Sequence, residues 1–264
     1  MNNCFTAIYN TDSPVLIHIP HSSLYIPEDM RDDYLIDEAQ LEEEKRVMAD
    51  MYTDELFGGL FERFGGLRLD VSRVFLDVER FKDDNLEPMA ARGMGFAYSK
   101  TSMLEDLREL KYKEKIAKIY DAYHKTLNEL VDAKLEAYGK CLIVDCHSFP
   151  SVPRPYQIEK EYDGVDVCVG FDAFHKDEEV TACIKKSFED AGYNVAENFP
   201  YSGSMVSNKH YAKEKNVKSV MIELNRKIYM DDLKTFEKRE TFDKVKAIVE
   251  GLRECMHQYK NPNR

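Results

Sequence analysis

The chain has 264 residues, 43% of them hydrophobic, which is enough for one large domain with a substantial core and too apolar for global disorder. Its formal net charge of −12, from 49 acidic and 37 basic side chains, excludes general binding to nucleic acid or to an anionic membrane, since both need a positive field. A small anionic substrate stays open, because a few inward-facing arginines decide a local potential.

The N-terminal residues Met1-Asn2-Asn3-Cys4-Phe5 lack the basic and apolar regions of a signal peptide, and no apolar run approaches bilayer length. Six cysteines (4, 141, 146, 168, 183 and 255) are scattered without a C-x-x-C pair. They read as buried thiols of a reducing compartment rather than a disulfide framework, so a cytoplasmic location is expected.

The first predicted strand, Val15–Ile19, runs into Pro20-His21-Ser22-Ser23. From about Ile36 to Phe64, Leu41, Met48, Tyr52, Leu56 and Leu60 recur at helical spacing, and Gly65-Gly66 supplies the stop. Two extended runs follow, Leu67–Val71 and Arg73–Val78, the second leading into Glu79-Arg80. Residues 81–101, with Asn85, Pro88, Gly93 and Gly95, read as a long loop over a site. A long helix, or two with a break, is predicted from about Met103 to Tyr138, closed by Gly139. Strands are predicted at 141–144, 165–171, 193–196 and 219–224, and helices at 178–191 and 242–259. With no repeat or linker, this alternation predicts an α/β fold in one domain spanning 1–264: a three-layer α/β/α sandwich around a mostly parallel, mixed sheet.

Four of these apolar runs end on residues that can bind metal, hold an anion or move a proton, and in open α/β sheets ligands sit beyond the carboxyl ends of the strands. His21 and His147 lie just past or at such ends, and catalytic zinc typically takes three protein ligands and keeps one position for water. The third ligand is expected to be a carboxylate. Asp50 lies beside the apolar face of the first helix, where an inward Asp needs a reason; Asp54 and Glu42 to Glu44 compete with it, and spacing does not choose. Glu223, closing the strand of 219–224, suits a general base at a partly desolvated position. Asp145 precedes His147 by two residues and shares its face, so it can orient that ligand. Cys146 then faces the core, which disfavours a Cys–His nucleophile. Arg73, Arg80 and Arg226 supply forks that grip carboxylates bidentately, with Arg92 in the loop a further candidate. By strand alternation Glu79 is expected to face away from the site.

Several segments together resemble the N-formylglutamate amidohydrolase family, whose fold is similar to zinc carboxypeptidases and aspartoacylase. They are Ile19-Pro20-His21-Ser22-Ser23, Asp50 to Leu56, Ser72-Arg73 with Asp77-Val78-Glu79-Arg80, and Tyr123-His124. The series continues with Asp145-Cys146-His147-Ser148-Phe149-Pro150, Asn198 to Gly203 with Tyr201, and Ile222-Glu223-Leu224-Asn225-Arg226 with Tyr229-Met230. The resemblance implies a phosphorylase/hydrolase-like, zinc-exopeptidase-like sandwich. It also implies Zn²⁺ on His21, Asp50 and His147, Glu223 as base, and Arg80 holding the substrate or polarising its carbonyl. His124, Tyr201, Asn225 and Arg226 fall in the matching segments and are expected at the substrate. Two departures stand out: the family usually carries Asp-x-Asn-Arg where this chain has Asp77-Val78-Glu79-Arg80, and a Gly where it has Ser23. The implied activity is zinc-dependent hydrolysis of a linear amide, N-formylglutamate or another N-acyl amino acid, with a small anionic acyl-amino-acid partner. The competing expectations are a metallo-amidase or peptidase on another acyl amino acid or cell-wall fragment, and a non-catalytic member that only binds such a ligand.

Overall fold

The computed structural model describes residues 4–10, 12–162 and 164–260; residues 1–3, on which the signal-peptide reading partly rests, lie outside them. The described strands form one seven-stranded sheet: β1 (Phe5–Ile8), β2 (Val15–Ile19), β3 (Gly66–Leu69), β4 (Cys141–Phe149), β5 (Val167–Gly170), β6 (Val195–Glu197) and β7 (Val217–Asn225), in the order β1-β3-β2-β4-β7-β5-β6. The pairs β2/β3, β2/β4, β4/β7 and β5/β6 are parallel, while β1/β3 and β5/β7 are antiparallel. This is the mixed, mostly parallel α/β sheet that the alternation of elements implies.

β2, β4 and β7 are buried nearly throughout, as continuous apolar strings such as Val-Leu-Ile-His-Ile require when helices cover both faces. Odd and even positions divide cleanly between two cores. Val15, Ile17, Ile19, Leu142, Val144, Cys146, Val220, Ile222 and Leu224 meet α3 (Gly58–Phe64), α5 (Glu178–Asp190), α6 (Phe242–Gly251) and α7 (Arg253–Lys260). Leu16, Leu67, Leu69, Cys141, Ile143 and Val217 meet α1 (Glu38–Met48) and α4 (Lys113–Tyr138) on the other face. Cys146 therefore packs into the core, away from His147. Gly66 is needed where β3 starts against β2, since a Cβ there would lie 1.8 Å from the Ile17 carbonyl oxygen.

Four sequence expectations are corrected. The helix expected over 36–64 is broken: α1 ends at Met48, Ala49 is extended, and Tyr52 takes φ 67° before the short α2 (Thr53–Leu56). The run Arg73–Val78 is not a strand, because Ser72 draws the backbone N–H groups of Phe75 and Leu76 onto its carbonyl and Asp77 caps Glu79, giving successive turns. The long helix starts only at Lys113, after an irregular stretch in which Leu104 and Leu110 have positive φ. Finally, the expectation of unpaired thiols fails for Cys183 and Cys255, whose disulfide ties α5 to α7 across 72 residues. Cys4, Cys141, Cys146 and Cys168 are not in disulfides. Spacing could not reveal the pair, and the inference of a reducing compartment loses that support. Among the described residues no helix is long and apolar enough to cross a membrane.

Candidate metal centre

The carboxyl ends of the three central parallel strands open on one cleft. In the β4/β7 register His147 is beside Glu223, and in β2/β4 His18 is beside Asp145, so all four side chains emerge on the same face. The break after α1 sets Asp50 opposite them. Its N–H donates to the His21 carbonyl at 2.9 Å, and its own carbonyl accepts from Thr53. That bond is long-range, and it places Asp50 outside a helix interior, where an aspartate is unfavourable.

His21 Nδ1, His147 Nδ1 and Asp50 Oδ2 converge. Asp50 Oδ2 is 3.0 Å from His147 Nδ1 and 3.6 Å from His21 Nδ1, and all three donor atoms lie within 4.8 Å of one another. The other ring nitrogens fix the tautomers. His21 Nε2 is 2.9 Å from Asp77 Oδ1; His147 Nε2 is 2.9 Å from Asp145 Oδ1 and 3.1 Å from Glu79 Oε1. Carboxylates only accept, so each Nε2 carries a proton; each Nδ1 then faces Asp50, donating to it where the ring is protonated, as from His147 at 3.0 Å, and exposing a lone pair to a cation where the ring is neutral. Two Nδ1 atoms and a carboxylate oxygen thus converge, and the buried His21 Nδ1 has no hydrogen-bond partner. With both rings neutral such a set of acceptors is repulsive unless a cation lies among them; protons on the imidazoles are the alternative. Zinc bonded at about 2.0–2.1 Å would separate tetrahedral donors by about 3.3 Å, and the observed 3.0 and 3.6 Å bracket that spacing. These residues fit a zinc ion.

The electrostatics agree. Burial disfavours the His147 imidazolium, yet the Asp145 and Glu79 charges outweigh it and hold the pKa well above the usual imidazole range. Burial likewise opposes ionised Asp50, but the hydrogen bond from His147 and the neighbouring His21 charge keep its carboxyl far below the ordinary value. Asp77 is held low by Arg73, His21 and Arg80 against its own burial. Glu223 goes the opposite way: burial, reinforced by the Asp50 and Glu79 charges, pushes it up to about 8. Its Oε2 is buried without a partner.

Around this cluster lies a cleft of about 560 Å³, lined by His21, Arg73, Glu79, Arg80, His147, Tyr156, Tyr201, Glu223 and Arg226 among others. Of the acids that competed with Asp50, Glu44 accepts from Ser102 and Glu42 pairs with Lys45, both away from the histidines. Arg73 donates to Asp77 at 2.9 Å and Arg226 to Asp50 at 3.2 Å. Among the described residues Arg80 has only Asp77 within ion-pair range, 3.6 Å from its Nε, which makes no hydrogen bond.

Three expected substrate-binding residues are not brought into the cleft. His124 is buried with Nε2 donating to the Val78 carbonyl; Asn225 caps the turn at Lys227 and donates to Val165; Arg92 donates to the Pro155 and Tyr156 carbonyls. Arg92 thus clips the segment that carries Tyr156 and does not itself line the cleft. The expectation for Glu79 is reversed, since it faces both histidines. Alternation holds only on a strand, and this segment turns. Asp77 and Tyr156 were also missed. An Asx pattern, Asp77 two residues before Glu79, was the one local signal that the run bends.

A sequence model of the N-formylglutamate amidohydrolase family matches residues 13–230. The chain is 27% identical to an N-formylglutamate deformylase of Pseudomonas putida over 256 residues, covering 89% of each chain. In fold it is similar to the crystal structure of N-formylglutamate amidohydrolase from Ralstonia eutropha JMP134, with TM-score 0.79 and 20% identity over 99% of this chain and 100% of that one. A gene product of Agrobacterium tumefaciens gives TM-score 0.70 and 20% identity over 97% and 94%. With the family's model running from before β2 to beyond β7, the chain belongs to the N-formylglutamate amidohydrolase family.

Proposed function

We propose that the protein hydrolyses the amide bond of an N-acyl amino acid with a zinc ion held by His21, Asp50 and His147, N-formylglutamate being the first substrate to try. The observation that carries this reading is the convergence of two imidazole Nδ1 atoms and one carboxylate oxygen beside an unpartnered Glu223 oxygen. Zinc supplies Lewis acidity toward the acyl oxygen and makes water acidic near neutrality. The rest falls to the chain. Asp77, with Asp145 and Glu79, fixes the histidine tautomers so that both lone pairs point inward. Glu223 accepts the proton of the attacking water and delivers it to the leaving nitrogen, and a pKa displaced toward neutrality suits both transfers. Arg80, the least committed cation in the cleft, holds the substrate carboxylate or the acyl oxygen.

The test is a panel of N-acyl amino acids scored for released amine, using protein as purified, stripped with chelator, and reloaded with zinc. Activity should vanish on stripping and return on reloading, with about one metal per chain. A metal-free protein that remains fully active would sink the proposal.

A further inference from the structure

Strand β2 carries a histidine that neither the cleft nor the metal set uses. His18 lies mid-strand between Ile17 and Ile19, is fully buried, and does not line the cleft. An imidazole among aliphatic side chains needs partners at both nitrogens, and His18 has them. Its Nδ1 is 2.7 Å from Asp145 Oδ1, with Glu79 Oε1 further off at 3.8 Å, and its Nε2 is 2.8 Å from the Tyr123 hydroxyl. Tyr123, on α4, is fully buried as well, and among the described residues His18 is the hydrogen-bond partner recorded for its hydroxyl. A carboxylate only accepts, so His18 Nδ1 carries a proton and donates to Asp145. Burial, with the Glu79 and Asp145 charges, holds the Tyr123 phenol well above its usual range, so Tyr123 keeps its proton and donates it to Nε2 of the neutral ring.

Asp145 is thereby fixed from three sides: Oδ1 accepts from His18 and from His147 Nε2 at 2.9 Å, and Oδ2 accepts from the Met205 N–H at 2.8 Å. Resting on the zinc-hydrolase reading above, we infer that His18, aligned by Tyr123, is a positioning residue of the metal centre: with the Met205 N–H it pins the Asp145 carboxylate, so that His147 turns Nδ1 to the ion. The direction of this chain is the same whether His147 Nδ1 holds a metal or a proton, because Nε2 donates in both cases. Asp145 has a competitor, since Glu79 Oε1 lies 3.1 Å from the same His147 Nε2. Without the His18 N–H, Asp145 loses one of its three donors, its carboxylate is free to swing, and His147 can turn toward the partly exposed Glu79. The segment Tyr123-His124 thus gains its link to the site: His124 stays in the core, while Tyr123 reaches the centre through His18.

An asparagine amide N–H can stand where histidine has Nδ1, and a glutamine amide reaches the Nε2 position. His18→Asn therefore keeps the donor to Asp145, and His18→Gln loses it while still facing Tyr123. Chelator competition should show zinc affinity lowered roughly tenfold in His18→Gln, the low end for a partner bonded directly to a metal ligand, and within about threefold of the parent in His18→Asn. A packing role would move both variants alike, and denaturant unfolding of metal-stripped protein separates a damaged fold from a misaimed ligand. Nitrogen NMR shifts of the zinc-loaded parent, which need no substitution, should show His18 with its proton on Nδ1 and a hydrogen-bonded lone pair on Nε2. Equal zinc affinities for the two variants, or a His18 that carries a proton on Nε2, overturn the inference and leave the hydrolase reading standing. A parent that takes up no zinc overturns both, whereas zinc uptake without turnover of any N-acyl amino acid sinks the hydrolase reading alone.

Discussion

Replacing Asp77 with Asn should weaken zinc binding by more than the loss of one hydrogen bond suggests. Asp77 is fully buried, and each of its oxygens is used twice: Oδ1 accepts from His21 Nε2 at 2.9 Å and from the Glu79 N–H at 3.1 Å, while Oδ2 accepts from Arg73 at 2.9 Å and from the Tyr98 hydroxyl. An Asn side chain keeps one acceptor, which the charged Arg73 claims most strongly. Its Nδ2 then faces His21, and that donor is satisfied only if the ring accepts at Nε2 and carries its proton on Nδ1. This is the wrong tautomer, since Nδ1 is the atom needed for the metal. Partners of this kind are worth about 10–100-fold in metal affinity, or about 1.4–2.7 kcal/mol. A second cost is separate: halving a buried ion pair destabilises a fold by about 3–5 kcal/mol. The two are resolved by chelator competition for zinc affinity and by denaturant unfolding of metal-stripped protein. If Asp77→Asn loses stability but binds zinc within twofold of the parent, Asp77 only anchors Arg73 and Arg80, and the tautomer argument is wrong.

Glu223→Gln should keep metal and fold while turnover falls roughly 10²–10⁴-fold, the usual contribution of a general base; activity within a few-fold of the parent places the base elsewhere. Arg80→Lys should lower kcat/KM on a carboxylate-bearing substrate by roughly tenfold or more, because the bidentate fork is lost, whereas unchanged kinetics would make Arg80 structural. The Cys183–Cys255 bridge closes a loop of 72 residues, for which chain entropy gives about 4 kcal/mol; equal unfolding free energies for the parent and a Cys183→Ser/Cys255→Ser variant would contradict it. His124 is pushed down to about 4 by burial, and its Nδ1 faces the Asn208 amide, a donor, so the unfolded chain takes up this proton first, near pH 6.5. Stability present above about pH 6.5 should therefore drain away toward about pH 4, by up to about 3 kcal/mol. The slope should flatten in His124→Gln, and parallel stability–pH curves for the two proteins would refute it.

The parts of the site that rest on strands were legible in the sequence. Val15–Ile19, 141–149 and 217–225 are long apolar strings, so their ends, and with them His21, His147 and Glu223, could be placed from burial and alternation alone. The parts that rest on irregular backbone were not. Val74-Phe75-Leu76-Asp77-Val78 is apolar enough to read as a strand, yet side-chain and carbonyl acceptors at Ser72 and Asp77 fold it into turns. That carries Asp77, Glu79 and Arg80 to the site together, against any period-two rule. No Gly or Pro marks the break at Asp50; the His21 carbonyl, distant in sequence, stabilises it. His124 shows the converse error: a polar residue on a buried helix face proved to be a satisfied core histidine, with both ring nitrogens committed to protein partners.

The converging Nδ1 atoms of His21 and His147 would also make a metal at this site compete with protons. Without a metal ion, the surrounding carboxylates draw a proton onto the imidazoles, and His147 holds it well above the usual range. Loading a divalent ion must expel that proton, so uptake acidifies the medium, and apparent affinity climbs by up to about tenfold per pH unit for each proton released. With a metal held there, the same carboxylates that aim the ligands would therefore also set an acid threshold for occupancy.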